Sequence, residues 1–245
     1  MTWPDPLPDQ SYPDQRYWEH SWLATQHGVT SRESFLELVY ELGSTPNGVF
    51  GAKLMWNYTP HVMGKFMEMP RFADMGRAEI FPAAFPGLHV IHLIRRDRLR
   101  QAVSWLRAAE DGVWWVSDTE PPQPQGLPRY NYDVIEGMMA LITQGEQAWR
   151  ELYEELGITP LEIVYEDLLT AEGYKNAVKS ILAHLAVDTQ VVVPQQRTNR
   201  QSDDLNEVWV ERFLHEHKVR YGDDPPEVLV MTDNPSGMGQ ATPPS

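Results

Sequence analysis

LHVIHLIRRDRLRQAVSWLRA, residues 88–108, changes character partway along. Its first part, LHVIHLI, has no Asp, Glu, Lys or Arg and is apolar at both odd and even positions. That pattern predicts a strand buried on both faces of a parallel sheet. The arginines Arg95, Arg96, Arg98, Arg100 and Arg107 then arrive with one Asp and no Glu among residues 94–108. A helix is predicted from about 97 to 110. On a wheel of about 100° per residue, Leu99, Ala102, Val103 and Leu106 share one side and are expected to face the sheet. Arg100, Ser104 and Arg107 fall within about 60° of each other on the adjacent side. A basic strand-to-helix junction is therefore the feature to explain.

The surrounding chain repeats the alternation. VFGAKLM (49–55) and LEIVY (161–165) read as further strands. Helices are expected at about 31–42, from Thr59-Pro60, at 132–156, at about 171–186 and at about 206–220. Thr30 with Glu33 has capping-box spacing, and Gly43 and Gly157 are helix stops. The stripe Phe35, Leu38, Val39 and Leu42 is expected to bury the first of these helices. Strands alternating with helices give an α/β fold, a mainly parallel sheet with helices on both faces. Residues 1–15 read as coil, 16–221 as the domain (opening with a short helix at 16–27) and 222–245 as a disordered tail. The proline-rich segment 117–131 reads as a functional loop.

Composition narrows the function. The 245 residues carry a formal net charge of -15 and no cysteine. Thiolate chemistry and disulfides are excluded. General nucleic-acid binding is disfavoured by the acidic balance. No run has the length of a membrane span, and no basic-then-apolar leader opens the chain, so the expected location is cytoplasmic. A local basic cluster in such a chain points to a discrete anion. In open α/β sheets ligands bind beyond the carboxyl ends of the strands, where Arg95 and Arg96 lie. Guanidiniums beside a hydroxyl match the oxygens of a phosphate. The alternative is that these arginines pair with Asp97, Glu110 and Asp111 on a solvated face.

Arg96 followed eight residues later by Ser104, after a buried strand, resembles the 3′-phosphate motif of sulfotransferases that use 3′-phosphoadenylyl sulfate (PAPS). TPNGVFGAKLMW (45–56), RRDRLRQAVSW (95–105) and RQSDDLNEVWVERF (200–213) resemble one branch, the bacterial carbohydrate sulfotransferases typified by trehalose 2-sulfotransferase. The resemblance runs over about 30–215. It implies a P-loop-like sulfotransferase fold, PAPS as sulfonate donor, no metal, and a carbohydrate or glycolipid acceptor. Homodimers occur in that family. It further implies that Arg96, Ser104, Arg100 and Arg200 hold the nucleotide. Lys53 would then neutralise charge at the sulfonate and Trp56 stack on a sugar, against a surface lysine and a core tryptophan. Arg200 and Gln201 stand equally as a segment closing over the ligand and as a solvated helix start. No catalytic base is assigned. His92 reads as a buried, hydrogen-bonded histidine, and no histidine spacing makes a metal pair.

The family's strand, phosphate loop and helix, followed by a glutamate motif, do not occur in this chain. GSTPNG (43–48) imitates such a loop in composition, but it follows a helix and precedes a strand, the reverse of the order that presents N–H groups to an anion, so it reads as a turn. The expectation is therefore a chain written without its N-terminal strand, loop and helix, through a start assigned too late or through a gene fragment. Such a chain would be unstable, and whether it is itself an enzyme stays open. The alternative function is a truncated, non-catalytic remnant that binds nucleotide or a protein partner.

Overall fold

Ile91–Ile94 (β1) and Leu161–Val164 (β2) run parallel, in register from Ile91↔Leu161 to Ile94↔Val164. The computed structural model describes residues 25–114, 126–187 and 204–223. Most of the expected helix at 16–27, most of the loop at 117–131 and nearly all of the tail lie outside them. The α/β class and the parallel pairing are as the sequence predicts. Among the described residues the sheet has two strands. Exposure also departs from expectation, because Leu93 is 58% exposed while His92 beside it is buried.

The helices are α1 (Arg32–Gly43), α2 (Thr59–Met67), α3 (Arg77–Ala84), α4 (Arg98–Asp111), α5 (Tyr132–Leu156), α6 (Ala171–His184) and α7 (Asp204–Tyr221). Short 3-10 segments occur at Trp56–Tyr58, Pro70–Phe72 and Tyr165–Leu169. The described residues divide into two units. One lies within Met1–Leu88 and Ala148–Thr159, the other within His89–Gln147 and Pro160–Ser245.

In the first unit, α1 is capped one residue later than predicted. Ser31 is extended, and its hydroxyl accepts from the Ser34 N–H at 3.1 Å, while the Ser31 N–H donates to the Ser34 hydroxyl. Ser34, not Glu33, thus closes the box. The buried face turns with it, through Leu36 and Leu38, and leaves Leu42 exposed. The expected strand at 49–55 does not form. GSTPNG is a turn, as the sequence predicts. Gly48, with φ +82°, occupies a conformation that favours glycine, and its N–H donates to Thr45 O at 2.8 Å. Phe50 then makes a single antiparallel bridge with Ser44 and stacks on Phe85. The chain stays irregular until Trp56. Helix α3 has no predicted counterpart. Gly76 precedes it without a capping side chain, and Pro82 lies inside it. The Glu79 carboxylate supplies the cap by accepting from the Gly76 N–H at 2.7 Å. Ile80, Phe81 and Ala84 then pack with Met63, Phe66, Phe72 and Leu152.

In the second unit, α4 starts at an aspartate cap, Asp97, and stops at Gly112 with φ +74°. Its apolar side is the predicted one, but it meets helices. Leu99, Ala102, Val103 and Leu106 pack with Ile135 and Met139 of α5 and with Trp209, Val210 and Phe213 of α7. The reason lies in α7, whose three large apolar side chains need the same cover. This packing fixes which face of α4 is left for charge.

Candidate functional site

Beyond the paired strands the chain continues in step. Ile94 sits opposite Val164, and the next three residues of each segment engage one another. The Arg95 guanidinium carbon stands 4.7 Å from the centre of the Tyr165 ring. The backbone N–H groups of Arg96 and Asp97 donate to Glu166 Oε2 and Oε1 at 3.2 and 3.1 Å. The Arg96 side chain lies 3.8 Å from the Asp167 carboxylate. Arg95-Arg96-Asp97 thus meets Tyr165-Glu166-Asp167. A cleft of about 200 Å³ opens there, with Arg95, Arg100, Tyr165, Glu166 and Glu207 in its walls. It lies at the carboxyl ends of both strands, where an α/β sheet places its ligands. Burial pushes the Glu166 carboxyl up, but the N–H groups of Asp97, Arg96 and Glu166 itself, with the charge of Arg95, outweigh burial and hold it below the usual range.

The structure sorts the five arginines of residues 94–108. Arg98 turns inward, with a side chain 5% exposed, and donates to Thr143 at 3.1 Å and to Glu146 at 2.5 Å. Arg100 donates to Asp97 at 2.5 Å and grips Glu207 of α7 with two nitrogens. Hydrogen bonds to Glu207 and then Asp97 push its pKa further up. Arg107 donates to Asn206 at 3.0 Å and lies 3.9 Å from Asp111. The ion-paired alternative therefore accounts for Arg98, Arg100 and Arg107, with Asp97 and Asp111 among the partners. Arg96 differs. Its side chain is 61% exposed, and its ion pair with an equally exposed Asp167 is long. Ser104 lies half-buried further along α4. An anion has the most accessible guanidinium at Arg96.

Lys53 is exposed on the irregular segment of the first unit. Trp56, in the same unit, is partly buried against the core and meets the Trp149 ring edge-on at 5.0 Å, the packing role weighed for it above. Arg200 and Gln201 lie outside the described residues. His92 is buried, with Nδ1 at 4.0 Å from Glu162. Among the described residues no group of three His, Cys, Asp or Glu side chains could hold a metal, and no helix is long and apolar enough to cross a membrane. Sequence reasoning missed Tyr165, Glu166, Asp167 and Glu207. The available signal was position, because YED directly follows a strand and so lies at the same sheet edge as the arginines.

Comparison with known proteins gives the same family. The chain is similar to trehalose 2-sulfotransferase of Mycolicibacterium smegmatis, 29% identical over 178 residues that make up 72% of this chain and 65% of the relative. It is 32% identical over 184 residues to trehalose 2-sulfotransferase of Mycobacterium tuberculosis, covering 74% of this chain and 66% of that protein. The chain therefore spans slightly less than two thirds of the length of either relative. The profile of the Stf0 sulphotransferases matches residues 8–216, most of the sequence. Arg96, Ser104 and the strand ends that position them all fall within that match, and the chain belongs to the Stf0 sulphotransferase family.

Proposed function

We propose that the protein works in the transfer of a sulfonate group from PAPS to a hydroxyl of a carbohydrate or glycolipid, with trehalose the first acceptor to test. The observation that carries this reading is the exposed Arg96 at the carboxyl end of β1, with Ser104 on the helix that follows. Arg96 supplies a planar pair of donors to the 3′-phosphate and Ser104 a hydroxyl, so the two suit a dianion at a helix flank. Arg100 adds positive charge alongside, muted by its own carboxylate partners. Lys53, Trp56 and Arg200 are proposed, in that order, to neutralise the sulfonate, meet the sugar and complete the nucleotide site. In the reaction an acceptor oxygen attacks the sulfur in line. The S–O bond to the 5′-phosphate breaks, its electron pair leaves with adenosine 3′,5′-bisphosphate, and the hydroxyl proton passes to a general base.

The test is calorimetry with adenosine 3′,5′-bisphosphate, followed by incubation with PAPS and a panel of sugars read by mass spectrometry. Arg96→Ala should weaken nucleotide binding by about 1.5–3 kcal/mol, the range for a charge-assisted hydrogen bond. Equal affinity in the variant would remove Arg96 from the site. Sulfated sugar formed only when PAPS is present would establish the transfer.

A further inference from the structure

We propose that Glu166 is the positioning residue for Arg96, an inference that rests on the nucleotide reading above. Glu166 follows β2 and reaches across to the strand-to-helix junction after β1. Its two oxygens take the two consecutive backbone N–H groups of Arg96 and Asp97. Both ends of this contact are anchored, because β1 and β2 are held in register up to Ile94↔Val164, two residues away on either side. The peptide that carries Arg96 therefore has a set orientation. Among the described residues, the Arg96 side chain is held by its long pair with Asp167. Its aim comes from its backbone, and its backbone is set by Glu166.

A second consequence concerns the ligand. Backbone N–H groups at the start of a helix ordinarily serve as an anion site. Here an internal carboxylate already has those of Arg96 and Asp97. A bound phosphate is then read by side chains, Arg96 and Ser104, and Glu166 never touches it. Orienting Arg96 in advance lowers the ordering cost of binding, so the contribution of Glu166 appears in affinity for the 3′-phosphate alone.

The experiment compares the affinities of the full chain for adenosine 3′,5′-bisphosphate and for adenosine 5′-monophosphate. Wild type should prefer the bisphosphate. Glu166→Ala should cut that preference roughly tenfold and leave the monophosphate affinity unchanged. Glu166→Gln keeps one acceptor oxygen and should fall between the two. It also decides the matter if the alanine variant does not fold. A residue that merely supports the fold would weaken both nucleotides together and leave the ratio alone. Arg96→Ala serves as the reference. If it abolishes the preference while both Glu166 variants keep the wild-type ratio, the positioning role is overturned and the nucleotide reading stands. If Arg96→Ala keeps the preference, or wild type shows none, the nucleotide reading falls and this inference with it.

Discussion

Arg100 and Glu207 are joined by two hydrogen bonds, Nε to Oε1 at 3.1 Å and Nη2 to Oε2 at 2.7 Å. The pair ties α4 to α7 beside the apolar contact of the same two helices. It also places a carboxylate in the wall of the cleft, next to the Arg100 guanidinium that lines the same wall.

The pair is partly solvent-exposed, with side chains 37% and 42% accessible, so its contribution to stability is modest. Glu207→Gln should lower unfolding free energy by no more than about 1 kcal/mol. The same change removes a negative charge from the wall of the cleft, beside the proposed anion site. Affinity for adenosine 3′,5′-bisphosphate should rise about two- to fivefold at low salt, and the gain should shrink as ionic strength increases. Calorimetry at two salt concentrations checks both. A loss of affinity would mean that Glu207 holds Arg100 in a position the ligand uses.

Glu166 gives the fold a defined acid response. Its carboxyl ionises below its ordinary range in the folded protein. The stabilisation it provides is complete above the unfolded value of about 4.3, and it is lost as pH falls through the depressed folded value. Glu166→Gln should therefore cost about 1–2 kcal/mol at pH 7 and progressively less as pH falls below about 4.5. Urea titrations of both proteins at pH 7 and below 4.5 measure this. A gap that stays constant across the range would show that the carboxylate charge is not what the two N–H groups require.

The strand-to-helix junction was legible because two independent patterns meet there. An apolar run of period-free character gives way to a helix with a defined apolar side, and both elements formed within three residues of their expected limits. Tyr132–Leu156 was legible for its length and its stop at Gly157. The strand at 49–55 was misread because β-branched and apolar residues were counted, while Gly48 and Gly51 on either side of Phe50 were not given enough weight as breakers. Helix α3 was hidden by Pro82 and by a cap that comes from a side chain three residues inside the helix. At the candidate site the eight-residue spacing of Arg96 and Ser104 could be read directly, and its resemblance to the family's 3′-phosphate motif singled them out. Glu166 and Asp167, which meet Arg96, are brought close by the pairing of β1 with β2, and no local pattern records that pairing.

Arg98 and Glu146 form a buried pair in the second unit. The Arg98 residue is 4% exposed, and the neighbouring Thr143 hydroxyl takes a second hydrogen bond from its guanidinium. Removing Glu146 takes the carboxylate from a guanidinium whose side chain is 5% exposed. Glu146→Ala should cost about 3–5 kcal/mol. The double change Arg98→Met with Glu146→Leu removes both charges at similar volume and should cost far less, or nothing. Chemical denaturation of the three proteins tests this, and a double variant as weak as the single one would show that the pair itself, not its desolvation, sustains α4 against α5.

Tyr132 holds interactions of two kinds, through its hydroxyl and through its ring, that one pair of substitutions can separate. Its hydroxyl lies 2.7 Å from His217 Nδ1 and donates to Glu136 at 2.9 Å. Its ring stacks on Phe213 at 4.5 Å, and the Arg220 guanidinium sits 3.9 Å from its centre. Burial, then the Glu136 hydrogen bond, pushes the phenol pKa up, so it stays protonated and can donate throughout the physiological range. Tyr132→Phe keeps both ring contacts and strips a partner from the buried His217. It should cost about 1–3 kcal/mol. Tyr132→Leu loses the ring as well and should cost about 1 kcal/mol more, since aromatic pairs add roughly 0.5–1.5 kcal/mol beyond their area. Urea unfolding of the two variants gives the difference directly. If phenylalanine and leucine are equally destabilising, the hydroxyl accounts for the whole effect and the stack of Tyr132 on Phe213 contributes no more than ordinary apolar contact.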